Sequence, residues 1–533
     1  MRTAATSRTW IETTLTSVRE AVTGPRAAGV MLVLAALTVV VVGLSTPVSR
    51  DEHLYLAAAA LAGDLRPGAD FAILQGPLST WYHAAVLAVW PGAEVLLPAR
   101  LAQIVVAWLV GLVLWAVMRR LGASRLLAAA LLLLLVHTEV VRESLGVARN
   151  YEPAILLSLL PWLLLPLEPG DPEHRWRLVA AGALATLAVG LKLTHAATAV
   201  VTILWPAVAP TTTTGGRRDV LWTLLGAGLA AGLALLVLLG TDAELVRFGL
   251  VDYHLANARF HEAAGLGGGM TVAGKFDDAA RLIRRTDLAA WSVLVVIALG
   301  LAAASGRGRP VVRWRVGAVL LAAGAVMVAV PRPVQTSYYA TLLLGGVLVV
   351  AATPAWLGAR ARRARRSLVA LALVATAIAV VHISGRDVRA ASVALRPDAW
   401  PARIVHDAGR RLDRAIGERR GRVLTTHPLY ALEAGRPLDP AMATGVFVWR
   451  LGDHLDRRLA ADPRLLVPAR LGAHLAVRPP VAIVVEAAAP WDAPLSRWAR
   501  AREWRMHPLA GGTVAWIPPA DGSTDRMEGD RPR

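Results

Sequence analysis

Ser49-Arg50-Asp51-Glu52-His53-Leu54-Tyr55 follows the first membrane-length apolar run of the chain, residues 28–46, and its reading decides the fold. Two adjacent carboxylates stand where a chain leaving a bilayer meets water, and a loop of about forty residues follows them. Leu54, Ala58, Leu61 and Leu65 recur at helical spacing, which predicts a helix starting at the acidic pair and broken at Gly63-Asp64 and Pro67-Gly68. Pro77 opens a second predicted helix, with Leu78, Trp81, Tyr82, Ala85 and Val89 on one face and Pro91-Gly92 at its end. Trp and Tyr on an apolar face suit a helix lying in a membrane interface.

Composition agrees with a chain built around bilayer-spanning helices. Of 533 residues 55% are hydrophobic, and the mean hydropathy is +0.50, above what a soluble protein of this size carries. The formal charge is 57 − 38 = +19, almost all from arginine; Lys192 and Lys275 are the only lysines. The arginines cluster between apolar runs, which fits the positive-inside rule better than nucleic-acid binding. Cysteine is absent, which excludes disulfides, thiolate nucleophiles and Cys metal sites. The basic N-terminus has no convincing small-residue cleavage site, so the first run reads as an uncleaved helix.

Runs of spanning or near-spanning length occur at 28–46, 98–117, 123–138, 153–167, 178–191, 195–209, 219–240, 288–304, 314–330, 337–353 and 367–384, about eleven in all. With that count every dense arginine cluster falls on one side, from Arg2, Arg8, Arg19 and Arg26 to the group at Arg360–Arg366. The expected organisation is a cytoplasmic N-terminus (1–27), a transmembrane domain (28–384) with its first extracytoplasmic loop at 47–97, an extracytoplasmic α/β domain (385–520) and a disordered polar tail (521–533). In the α/β domain Ile404, Ala408, Leu412 and Ile416 predict an amphipathic helix, and Arg422–Thr426, Val481–Val485 and Thr513–Ile517 predict strands. The expected fold class is therefore mainly α, a polytopic membrane protein with a small α/β domain outside.

The segments on the far side carry the candidate functional residues. Asp51 and Glu52 read as a base for an acceptor hydroxyl, or as a helix cap with Glu52 favouring the dipole. Arg149 and Glu152 lie in a short loop dense in charge, where an arginine suits a phosphate and a carboxylate suits its support or a sugar. Lys192 ends an apolar run against the positive-inside trend and offers a point charge to a phosphate, or snorkels. Arg332 is a further phosphate candidate, and Tyr338-Tyr339 suit a sugar or lipid pocket or an aromatic belt. Gly265-Leu266-Gly267-Gly268-Gly269 reads as a flexible connection or a lid. No H-E-x-x-H spacing or nucleotide motif is present, so neither metal nor cofactor is expected.

Asp51-Glu52-x-x-Tyr55, followed by Gly63-Asp64, Pro67, Asp70-Phe71 and Gln75-Gly76-Pro77-Leu78-x-x-Trp81, resembles the first extracytoplasmic loop of the GT-C glycosyltransferases. The likeness is to the group holding the protein mannosyltransferases and the lipid A aminoarabinose transferases, and covers roughly residues 28–355. Thr425-Thr426-His427-Pro428-x-Tyr430 is similar to the outer domains such enzymes carry. The resemblance implies a GT-C fold in the plasma membrane and inverting transfer of a sugar from a polyprenyl-phosphate donor to a glycan, lipid or protein hydroxyl. It implies Asp51 as base, with Glu52 beside it, and sets Arg149, Glu152, Lys192, Tyr338 and Tyr339 around the donor. Gln75 departs from the pattern, since many relatives have a basic residue there. A transporter or flippase of lipid-linked sugars is the alternative. It calls for charges at helix centres, whereas most here lie at helix ends.

Overall fold

In the computed structural model, which describes residues 25–90, 92, 94–167, 174–208, 216–265, 270–284, 286–304, 312–357 and 361–519, the eleven apolar runs lie largely in helix. The principal membrane-domain helices are α1 (Pro25–Ser45), α2 (Arg50–Leu61), α3 (Pro77–Val89), α4 (Leu96–Arg120), α5 (Arg125–Val136), α6 (Tyr151–Leu159), α7 (Arg175–Leu191), α8 (Ala196–Val208), α9 (Gly216–Leu238), α10 (Tyr253–Ala263), α11 (Val272–Ile283), α12 (Thr286–Ala304), α13 (Val312–Ala329), α14 (Tyr338–Leu357) and α15 (Arg362–Ala394). Six of them, α1, α4, α9, α13, α14 and α15, are long and apolar enough to cross a membrane; α11 and α12, bent by 100°, make a seventh if counted as one broken span. Among the described residues, six or seven spans meet the requirement of length and composition, with three shorter apolar helices beside them, and the count of eleven is not confirmed. The 12 residues of α5 rise only about 18 Å, well short of a hydrocarbon core of about 30 Å.

Both expected helices of the first loop form. Ser49 caps α2 through a complete capping box: its hydroxyl accepts from the Asp51 N–H at 3.1 Å, and Glu52 accepts from the Ser49 N–H at 2.9 Å. Pro77 starts α3, as its fixed φ and missing N–H favour. Trp81, Ala85 and Val89 of α3 are exposed and His83 is buried, so the helix turns an apolar face outward.

The 33 residues of α15 run unbroken from the membrane domain to Ala394, about 50 Å of helix. The C-terminal domain follows, with α16 (Pro401–Ile416), β1 (Val423–Thr425), α17 (Pro428–Glu433), β2 (Ala482–Glu486), α18 (Ala493–Arg500), β3 (Arg505–Pro508) and β4 (Thr513–Ile517). Its sheet has the order β1-β2-β4-β3, parallel between β1 and β2 and antiparallel elsewhere, with Val423 opposite Ala482 and Val484 opposite Ala515. The three expected strands form. The fourth, Arg-Met-His-Pro, has no apolar alternation and joins as an exposed edge. The expected N-terminal segment up to residue 24, the glycine-rich run 266–269 and the tail 521–533 lie outside the described residues.

Several polar contacts seat this domain on the membrane portion. One Glu433 oxygen accepts from the N–H groups of Val95 and Leu96, at 3.0 and 2.7 Å, where α4 begins and its free donors need a partner. The other bonds His406 Nδ1 at 2.8 Å. On α2, His53 Nδ1 accepts from the Leu429 N–H of α17 at 3.2 Å. Leu54 and Leu74 of the first loop share a core with Phe248, Tyr253, Val448 and Leu451.

Candidate active site

Glu52 is fully buried and sits at the junction of three segments. Arg100, one turn into α4, meets it with a two-pronged bond, Nε to Oε1 at 2.8 Å and Nη2 to Oε2 at 2.7 Å. The same guanidinium donates to the carbonyls of Thr46 and Pro47, at 2.6 and 3.2 Å, and Glu52 Oε1 also accepts from the Ala148 N–H at 3.0 Å. Burial pushes the Glu52 carboxyl up, but Arg100 and the two backbone donors outweigh it and leave it below its ordinary value. This cluster ties the end of α1, the start of α2, the start of α4 and the loop before α6 to one point.

The capping role expected of Asp51 belongs to Ser49 and Glu52, and Asp51 is left partly exposed. Its Oδ2 lies 3.3 Å from Arg149 Nε, and Arg149 also donates from Nη2 to the Ser49 hydroxyl at 2.5 Å. Gln103 of α4 holds the Arg149 carbonyl at 2.8 Å. The loop can bring Arg149 this close because Gly146, at φ +66°, passes the α1 backbone so tightly that a Cβ there would stand 2.6 Å from the Gly43 Cα.

Lys192, just past the end of α7, is buried, with its ammonium 3.6 Å from the centre of the Tyr151 ring and 5.4 Å from that of Tyr338. Ser337 donates to the Tyr151 hydroxyl at 2.6 Å. Asn150 joins the neighbouring segments: it accepts from the Tyr55 hydroxyl at 2.8 Å and donates to the Leu191 carbonyl at 2.7 Å. Burial pulls the Lys192 ammonium down to about 7, with Asp51 opposing that fall and Arg149 adding to it. Asp51, Arg149, Lys192 and Tyr338 therefore form one electrostatic group.

Glu152, beside Tyr151, is buried, and neither carboxylate oxygen makes a hydrogen bond among the described residues. Below it opens an apolar cavity of about 540 Å³, walled by Leu32 and Val39 of α1, Trp108 and Trp115 of α4, Leu132 of α5 and Leu344 of α14. Tyr151 and Glu152 form part of its lining.

Two expected residues stand apart. Tyr339 is buried on the other side of α14, where its hydroxyl donates to the Lys275 carbonyl at 3.3 Å. Successive helical side chains point about 100° apart, so only one of the tyrosine pair can face Lys192, and it is Tyr338. Arg332 is exposed next to Lys275, whose ammonium donates to the Pro331 carbonyl at 2.8 Å. The sequence reading passed over Arg100, Asn150 and the role of Tyr151. Arg100 had a signal, a lone charge inside an apolar run; the other two had none beyond residue type.

Gly76, in the Gln75-Gly76-Pro77 turn, brings the first loop against the Lys192 segment. A Cβ at Gly76 would lie 2.1 Å from the Gly190 carbonyl oxygen, with backbone on both sides and nothing flexible to give way. Gly76→Ala is expected to lower stability by about 1–3 kcal/mol, read by thermal unfolding. Unchanged melting would show that the turn has room.

Together these features define a multi-pass helical membrane protein with a charged cluster at one end of its helices and an α/β domain seated over it. Its fold is shared with two crystal structures of ArnT from Cupriavidus metallidurans. The structure bound to undecaprenyl phosphate is similar with a TM-score of 0.57 and 14% identity over 93% of this chain and 99% of that one. The apo structure is similar with a TM-score of 0.56 and 15% identity over 91% and 97%. No family model and no curated protein sequence matches the chain.

Proposed function

We propose that the protein transfers a sugar from a polyprenyl-phosphate donor to an acceptor hydroxyl at the extracytoplasmic membrane surface. One observation carries this reading: Tyr151 is both a wall of the apolar cavity and the platform under the Lys192 ammonium. A cavity of that character suits a polyprenyl chain, and an ammonium and a guanidinium at its polar end suit the phosphate on that chain. The likeness to a structure bound to undecaprenyl phosphate supports the same assignment.

In this mechanism the acceptor hydroxyl attacks the anomeric carbon and Asp51 takes its proton. The bond between that carbon and the phosphate oxygen breaks, and the phosphate leaves with the electron pair. Arg149 and Lys192 stabilise the charge it gains. Attack from the face opposite the phosphate inverts the anomeric centre. Glu152, buried and without a side-chain hydrogen bond among the described residues, supplies an acceptor or a donor to the bound sugar or phosphate. Glu52 acts as a positioning residue, because both its oxygens are committed to Arg100 and the backbone. Arg332 and Tyr339 are left outside this mechanism.

The purified protein, given a panel of hexosyl and pentosyl undecaprenyl phosphates with an acceptor hydroxyl, is expected to release undecaprenyl phosphate from at least one. Vesicle-to-vesicle movement of the donors with no release would instead favour transport.

Lys192 gives the reading a pH signature. Its free ammonium loses its proton near pH 7, whereas a phosphate monoester is half-way through its second ionisation near pH 6. Between about pH 7.5 and 8.5 the phosphate charge changes little while the free lysine is increasingly neutral, so affinity for undecaprenyl phosphate should fall as pH rises. Lys192→Arg should abolish that slope, because a guanidinium stays charged. The same slope in wild type and Lys192→Arg would remove Lys192 from the phosphate site.

A further inference from the structure

At the end of the helices remote from Asp51 lies a second cavity, of about 850 Å³, between Pro25 at the start of α1, the first turn of α5, the last turn of α14 and the first turns of α15. Four arginines line it, Arg125 from α5 and Arg362, Arg365 and Arg366 from α15, and among the described residues its lining holds no carboxylate. Its inner part is apolar, with Leu126, Val369 and Leu373 lining it. Beyond Leu373, Val374, Ile378 and Val381 of α15 are exposed and continue an apolar strip along the helix toward the other face.

We propose that this cavity binds an anionic phospholipid, with the headgroup phosphate among the four arginines and an acyl chain along α15. Charge and shape both suit such a lipid. Four exposed arginines from two helices line one concavity, and an anion lodged there is attracted by all four. Guanidinium forks match phosphate oxygens in pairs. A basic pocket between helices at the cytoplasmic surface is a place where phospholipid headgroups lodge, and the arginine pattern assigns this end of the helices to that surface. The positive-inside tendency alone explains arginines near the surface but not their gathering in one cavity. Arg363, on the same turn of α15, does not line it and serves as an internal control. The proposal is independent of the sugar-transfer reading, since none of these residues belongs to the Asp51 group.

Native mass spectrometry of the full chain in neutral detergent, titrated with dioleoyl phosphatidylglycerol or dioleoyl phosphatidylcholine, tests it. Phosphatidylglycerol is expected to bind more tightly than phosphatidylcholine. R365Q/R366Q should weaken phosphatidylglycerol by about tenfold or more, at roughly 1 kcal/mol per arginine. R363Q should leave it unchanged, and millimolar inorganic phosphate should not displace it. Equal binding of the two lipids, unchanged binding by R365Q/R366Q, an equal loss in R363Q, or displacement by free phosphate would each overturn the proposal. Should the double variant fail to insert, R125Q on the opposite wall carries the test. It should weaken phosphatidylglycerol by about fivefold, and no loss overturns the proposal.

Discussion

Asp51→Asn is expected to lower the turnover of sugar transfer by about 10²- to 10⁴-fold while leaving affinity for undecaprenyl phosphate within a few fold of wild type. The substitution keeps the shape of the side chain and removes its ability to take a proton. Its cap is untouched, because the N-cap of α2 is Ser49 and the reciprocal partner is Glu52. Asp51 is itself partly exposed, and its loss takes a counter-charge from Lys192 and Arg149, which both keep their place at the phosphate. The one ion pair that disappears is with Arg149, which retains the Ser49 hydroxyl. A variant that folds, binds the lipid phosphate and fails to turn over would separate the base from the phosphate-binding group. If it transfers sugar at the wild-type rate, Asp51 is not the base. If it loses lipid affinity to the same degree as turnover, the aspartate organises Arg149 instead.

Arg100→Met should be among the most damaging substitutions for stability. It leaves the Glu52 carboxylate buried with only the Ser49 and Ala148 N–H groups, a change of the order of 3–5 kcal/mol. It also frees the carbonyls of Thr46 and Pro47 at the end of α1. The loss should appear as a lower melting temperature in detergent. Because Ala148 precedes Arg149 by one residue, it should also appear as weaker binding of undecaprenyl phosphate. The double variant Glu52→Leu/Arg100→Met removes both charges and should recover much of the melting temperature without recovering the lipid affinity. Full recovery of both would mean that the pair only fills space. Equal stability of Arg100→Met and wild type would mean that it contributes nothing.

Much of the membrane domain was legible because bilayer-length helices leave a one-dimensional trace, and turn chemistry marks its breaks. Pro77 begins a helix where its fixed φ predicts, and the Ser49-to-Glu52 spacing is a capping box that can be read from four residues. The number of spans was not legible in the same way. Runs such as 123–138 are apolar over most of their length, yet their helices are too short to cross unaided. The acidic pair divided on a local rule once the cap was placed. Which tyrosine of Tyr338-Tyr339 faces Lys192 depends on the rotation of α14 about its axis, and that is set by its packing on α13. The Glu52–Arg100 junction joins residues 48 apart and His53 reaches Leu429 across 376, separations over which pattern carries no information.

The contact of His53 with Leu429 has a consequence for how the molecule can be taken apart. The helix that carries Asp51 is gripped from the membrane side through Glu52 and from the outer side through His53, on adjacent residues. The two halves of the chain are therefore not interchangeable cassettes. A chimera that borrows the C-terminal half from a distant homologue would present a foreign surface to Arg50 and His53, the residues on either side of the Asp51-Glu52 pair. Grafts that respect this architecture must carry the first loop along with the domain that rests on it.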